Sequence, residues 1–139
     1  MNVIVDTSVW SLSLRRKPED LNSAERSITN ELAELIKEGR AVILGVIRQD
    51  LLSGIRMDEQ YEKLKTFLRG FPDEPIEIAD HEAAAKASNY CRGRGVTLHI
   101  VDVLICAVAS RSNSAIFTTD PDFQNYAKLL SVRLHVPRK

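Results

Sequence analysis

Four aspartates in this sequence could share a piece of chemistry: Asp6, Asp50, Asp102 and Asp120. Each stands beside an apolar run that must be buried. Asp102 is the sharpest case, because it lies inside Ile100-Val101-Asp102-Val103-Leu104-Ile105-Cys106-Ala107-Val108-Ala109. An unpaired ion in such a run costs several kcal/mol, so the carboxylate has to be paired, cap a helix end or bind a metal. If the fold brings all four acids to one cleft, they repel one another and some must protonate unless a counter-charge is present. A divalent cation removes that difficulty, and a site built only from oxygen suits Mg²⁺ or Mn²⁺ better than zinc. Such an ion activates bound water and stabilises the oxygens of an in-line displacement. The reaction class that follows is phosphodiester hydrolysis. The chain contains no GxGxxG or Walker-type glycine loop to compete with it.

The elements decide whether the acids can meet. Val3-Ile4-Val5 reads as a first strand covered on both faces, ending at Asp6-Thr7-Ser8. Asp6 or Ser8 would cap the following helix, Val9-Trp10-Ser11-Leu12. Alternatively, an acid at the tip of a parallel strand stands in the usual ligand crevice. Residues 21–38 carry Leu21, Ala24, Ile28, Leu32, Leu35 and Ile36 at helical steps and stop at Gly39, as an amphipathic crossover helix should. Ala41-Val42-Ile43-Leu44 is a second buried strand, closed by Gly45, and residues 46–54 return to helix. There Asp50 is either an ordinary exposed acid or one that leans back to the strand tip.

Residues 58–68 form another helix, ended by Gly70 and Pro72. Pro75-Ile76-Glu77-Ile78 reads as a third strand, and Asp80 as the N-cap of an Ala-rich helix over 81–92. The apolar run is a helix continuing through Arg111, with Asp102 in its first turn, where the helix dipole also favours an acid. Ser114-Ala115-Ile116-Phe117 is a fourth strand. In the turn that follows, Pro121 fits the first helical position, with Asp120 as cap. Residues 130–136 supply a fifth, edge strand, and Pro137-Arg138-Lys139 a tail. This alternation, without repeat or linker, predicts a single α/β domain spanning 1–139, doubly wound, with a mainly parallel sheet of about five strands flanked by helices.

Composition sets the remaining bounds. At 139 residues the chain buries about 65 to 70% of its unfolded surface in one core. Lys plus Arg and Asp plus Glu balance at 19 each, so no global field marks a nucleic-acid binder. Basic residues cluster locally, at Arg15-Arg16-Lys17 and at Arg92 with Arg94. Cys91 and Cys106 lack a His at ligand spacing and read as free, buried thiols of a reducing, cytoplasmic setting. His81 and His99 read as structural or surface residues. No apolar run reaches the ~18 residues of a membrane span, and the N-terminal basic cluster follows the apolar residues, contrary to a signal peptide.

Four ordered segments then carry a resemblance. They are Val5-Asp6-Thr7-Ser8-Val9-Trp10, residues 46–55 around Asp50, Asp102-Val103-Leu104-Ile105-Cys106-Ala107, and Phe117-Thr118-Thr119-Asp120-Pro121-Asp122-Phe123. Together they resemble the PIN-domain nucleases, and specifically the VapC-type toxins of prokaryotic toxin–antitoxin pairs. The resemblance implies a PIN-like fold and an Mg²⁺-dependent endoribonuclease of the prokaryotic cytoplasm. It implies Asp6 and Asp102 as the main metal ligands, with Asp120 completing the cluster directly or through water. Ser8 and Thr118 match supporting polar positions. Where the family usually has Glu, this chain has Asp50, shorter by one methylene, a departure that points away from direct ligation and toward a water-mediated contact or weaker occupancy of a second metal site. The resemblance further implies a homodimer, a cognate antitoxin whose C-terminal segment covers the cleft, and an RNA substrate, with Arg15, Arg16 and Lys17 as candidate backbone contacts.

Two other classes use similar features. A receiver domain gathers acids at strand tips and phosphorylates one of them, but it needs a Lys at the end of a late strand, where this chain has only Arg133 and His135. A catalytically silent domain of the same fold would serve as a binding module.

Overall fold

The computed structural model describes residues 1–138. β1 (Val3–Val5) is the middle strand of a parallel sheet, with β2 (Ala41–Val42) on one side and β3 (Ala115–Phe117) on the other. Every residue of the three strands is buried, as a sheet covered by helices on both faces requires. α1 (Thr7–Arg15), a 3-10 turn (Pro18–Asp20) and α2 (Ser23–Lys37) connect β1 to β2. α2 opens with a capping box between Asn22 and Glu25, and the chain turns out of it at Gly39, whose φ of 68° favours glycine. α3 (Gly45–Leu52), α4 (Asp58–Leu68), α5 (Ile78–Arg92) and α6 (Ile100–Arg111) lead to β3, and α7 (Asp122–Leu129) follows it.

The α/β architecture with a parallel sheet is as expected; the strand count is smaller. The expected third strand at 75–78 does not form. The chain there makes one parallel bridge, Ile43 with Asp73, and α5 already begins at Ile78. Pro72 and Pro75 flank that contact and lack the N–H a longer ladder needs. The expected fifth strand at 130–136 also reduces to one bridge, Ile116 with Leu134. Its first residues spend their backbone locally: Leu130 N–H closes α7 on Tyr126 O, and Val132 N–H bonds Leu130 O.

Other boundaries move by a few residues. α1 starts at Thr7 and α3 at Gly45, and the N-cap of α5 is Glu77, not Asp80. Asp80 instead completes a capping box, accepting Glu77 N–H at 2.8 Å, and pairs with Arg111 Nε at 2.7 Å. Arg138 is not a free tail: its guanidinium pairs with Glu31 and Glu38 on the α2 side, and His135 bonds the same Glu31. Burial works to raise Glu31, but Arg138 and His135 hold its carboxyl below the usual range.

The core runs from the sheet into both helical layers. Trp10, fully buried, donates Nε1–H to Val5 O at 3.1 Å and meets the edges of Phe67 and Phe71. Cys91 and Cys106 are free and buried. Burial pushes the Cys106 thiol up to about 12, so it is an inert packing group. Among the described residues no helix is long and apolar enough to cross a membrane.

Candidate active site

In a parallel sheet the strand C-termini share one edge, and helices returning to the strand starts begin at that edge. Asp6 follows β1 directly, and its N–H bonds Phe117 O at the end of β3. Thr118-Thr119-Asp120 leaves β3 at the same edge, and α6, which runs back to the start of β3, places Asp102 in its first turn there. Asp50 stands on the second turn of α3, which starts from the end of β2. All four aspartates, together with Ser8, line one cleft of ≈ 610 Å³.

Asp6 is buried and occupies the N-cap position of α1, but its side chain does not cap the helix. Its Oδ2 accepts from Ser8 Oγ at 2.9 Å and from Thr118 Oγ1 at 2.8 Å. Both hydroxyl orientations are set from behind, because Ser8 Oγ accepts Thr119 N–H and Thr118 Oγ1 accepts Asp120 N–H, each at 3.0 Å. The two hydroxyls also lie 3.3 Å from each other, so Ser8, Thr118 and the Asp6 carboxylate form one hydrogen-bonded cluster. Asp120 Oδ1 accepts Asp122 N–H at 3.0 Å, but Asp120 is not the cap expected of it: α7 starts at Asp122, and the N-cap position falls on Pro121. Asp102 Oδ2 receives the Tyr126 hydroxyl at 3.5 Å. Asp50 is exposed, and its side chain has no hydrogen-bond partner among the described residues.

No Lys or Arg lines the cleft among the described residues, and none of the four acids is in a salt bridge. The electrostatic cost falls on Asp102. Burial, then the Asp6 charge, then the Asp120 charge push it up from an ordinary 3.8 to about 6, while His99 and the Tyr126 hydroxyl work the other way. Burial, then the charges of Asp102, Asp122 and Asp120, raise the Tyr126 phenol to about 12, so it stays a donor. Among the described residues no three His, Cys, Asp or Glu side chains converge closely enough to cage an ion as they stand. The donor set, all oxygen and without a counter-cation, nevertheless fits a hard divalent ion that keeps several of its waters.

Sequence reasoning missed Tyr126, whose signal was only its place one turn after Phe123 on the inner face of α7. His99, read as structural or surface, is exposed but lines the cleft as the N-cap residue of α6. The basic cluster lies outside the cleft lining. Arg15 donates to Leu51 O, and Arg16 donates to Asp20 O and pairs with Glu25.

The comparisons with known proteins agree on the fold. FitAB bound to an IR36 DNA fragment superposes with a TM-score of 0.76 at 19% identity, covering 97% of this chain and 94% of that one. VapBC2 from Rickettsia felis, bound to a promoter DNA fragment, gives 0.73 at 16% identity over 97% of this chain and 98% of that one. VapC20 of Mycobacterium tuberculosis, described as a Sarcin-Ricin loop cleaving toxin, gives 0.67 at 17% identity over 95% and 99%. No curated protein matches the chain. The PIN domain family matches residues 3–129, nearly the whole of the sheet, its helices and the acid-lined edge, and the chain belongs to that family.

Proposed function

We propose that this protein is a metal-dependent endoribonuclease, the toxin of a prokaryotic toxin–antitoxin pair, and that it hydrolyses RNA phosphodiester bonds in the acid-lined cleft. The observation that carries this reading is the gathering of four carboxylates from four distant segments with no Lys or Arg in the cleft lining among the described residues. The solved structures with the same fold include a toxin described as cleaving the Sarcin-Ricin loop, and toxin–antitoxin complexes bound to DNA. They support RNA as the substrate class and an antitoxin as the partner. A homodimer acting in the cytoplasm completes the proposal.

Asp6 and Asp102 would hold Mg²⁺, with Mn²⁺ as a substitute, and Asp120 would join them directly or through water. When bound, the ion supplies an acidified water and charge neutralisation at the phosphoryl oxygens. The chain's own residues do the positioning. Ser8 and Thr118 fix one oxygen of Asp6 and leave Oδ1 without a hydrogen bond among the described residues. Asp122 N–H orients Asp120. Asp50, exposed and short, reaches the site through water. The sheet edge excludes solvent from one side of Asp6, which strengthens each of these interactions.

Incubation of purified protein with total RNA, with and without Mg²⁺, tests the reading. Metal-dependent cuts lost in Asp6→Asn are expected. RNA binding without cutting would favour the silent binding module, and a stable acyl-phosphate on Asp6 or Asp50 after treatment with acetyl phosphate would favour a receiver.

A further inference from the structure

A phenol fills the space behind Asp102 where a plain ring would serve the core equally well. Tyr126 is 3% exposed, and its ring packs edge-on against Phe123, centroids 5.2 Å apart. Phe123, one turn earlier on the same face of α7, is fully buried with no hydroxyl at all. A buried hydroxyl without a partner costs about 1–3 kcal/mol, so Tyr over Phe needs a reason. Among the described residues the only group that Tyr126 Oη reaches is Asp102 Oδ2, at 3.5 Å. That carboxylate has no other protein donor among the described residues, while Asp6 has two hydroxyls and Asp120 a backbone N–H. Thr118, Asp122 and Tyr126 all belong to the segment 118–126, so one stretch of chain supplies a neutral donor to each of three acids.

We propose that Tyr126 is a positioning residue: its hydroxyl holds one oxygen of Asp102 so that the other is presented to a divalent cation in the cleft. This role rests on the metal-dependent reading above. Donors behind a ligating carboxylate typically change metal affinity by about 10- to 100-fold, and a 3.5 Å contact belongs at the low end.

Tyr126→Phe keeps the ring and removes the contact. Mn²⁺ titrations by calorimetry on wild type, Tyr126→Phe, Asp102→Asn and the double variant decide the matter. The expected result is about 10-fold weaker Mn²⁺ binding by Tyr126→Phe, with an unchanged KM for RNA at saturating Mn²⁺ and a metal-free melting temperature close to wild type. In the Asp102→Asn background, loss of the hydroxyl should change Mn²⁺ affinity no further. Wild-type Mn²⁺ affinity in Tyr126→Phe overturns the role, as does a lower melting temperature with unchanged affinity, which is what a purely structural tyrosine would give. An equal loss in the Asp102→Asn background overturns it too, because the hydroxyl would then act elsewhere. Failure of the wild type to bind Mn²⁺ is a separate outcome and overturns the metal-dependent reading together with the role.

Discussion

Asp102 sits half-buried beside two other acids, and its raised pKa makes it a liability to the fold whenever no cation is present. A carboxyl raised in the folded state contributes its stability in full below its unfolded value of 3.8, and that contribution is lost as the pH rises through about 6. With EDTA present, thermal melting should therefore show stability falling over this window, and Asp102→Asn should remove that part of the slope. At pH 8 the variant should be the more stable by about 1 kcal/mol, a figure discounted because water screens a half-exposed group. A variant less stable than wild type at pH 8 would contradict this account. At Asp50 the prediction runs through length. Asp50→Glu adds the methylene that would carry the carboxylate further into the cleft, and should raise apparent Mg²⁺ affinity in the cleavage assay several-fold; weakened Mg²⁺ dependence would argue against it. Asp6 and Asp102 were legible in the sequence, since one ends and the other interrupts an apolar run. Asp50 and Asp120 follow polar residues, and Asp50 by itself reads as an ordinary exposed acid. Tyr126 was not legible, because a tyrosine on an inner helical face looks like any core aromatic until the opposing side chain is known.

At the level of elements, α5 and α6 are tied together by Asp80 and Arg111. The carboxylate is almost fully buried, and the guanidinium also reaches Pro75 O and Glu77. The Arg111 hydrogen bond, working against burial, holds Asp80 below the usual carboxylate range. Arg111→Ala would strand that charge and should destabilise the protein by about 3 kcal/mol, with Arg111→Lys recovering part of the loss in denaturant melts. Asp80 was readable in the sequence as a helix-start acid, but the arginine that pairs with it lies on the next helix and no local pattern connects them. The same limit explains the edge strands. Alternation at 130–136 marks which side chains face inward, yet only backbone geometry decides how many residues stay in hydrogen-bonding register, and one does on each outer edge.

For the molecule as a whole, balanced charge means that the RNA proposed as substrate would have to be held by a local patch. Two of the three residues in the basic cluster already serve the fold, since Arg15 and Arg16 bond α3, the 3-10 turn and α2. The Lys17 carbonyl accepts Asp20 N–H, but its side chain has no hydrogen-bond or salt-bridge partner among the described residues, which makes it the clean probe. Lys17→Ala should weaken RNA binding and reduce the slope of log affinity against log salt by about 0.7, the value for one phosphate contact on a single strand. An unchanged slope in a filter-binding series would remove Lys17 from the RNA path.

The union of Asp6 with Thr118 spans nearly the entire polypeptide, and the first strand must wait for the last one before its carboxylate is held. Synthesis proceeds from the N-terminus, so a nascent chain still on the ribosome has Asp6, Asp50 and Asp102 in hand while β3 and Asp120 are missing. A premature stop before Ala115 would yield a fragment lacking one of the central strand's two partners and one of the two hydroxyls that hold Asp6. The nuclease activity proposed for this cleft would thus be withheld by chain order alone until translation is almost finished.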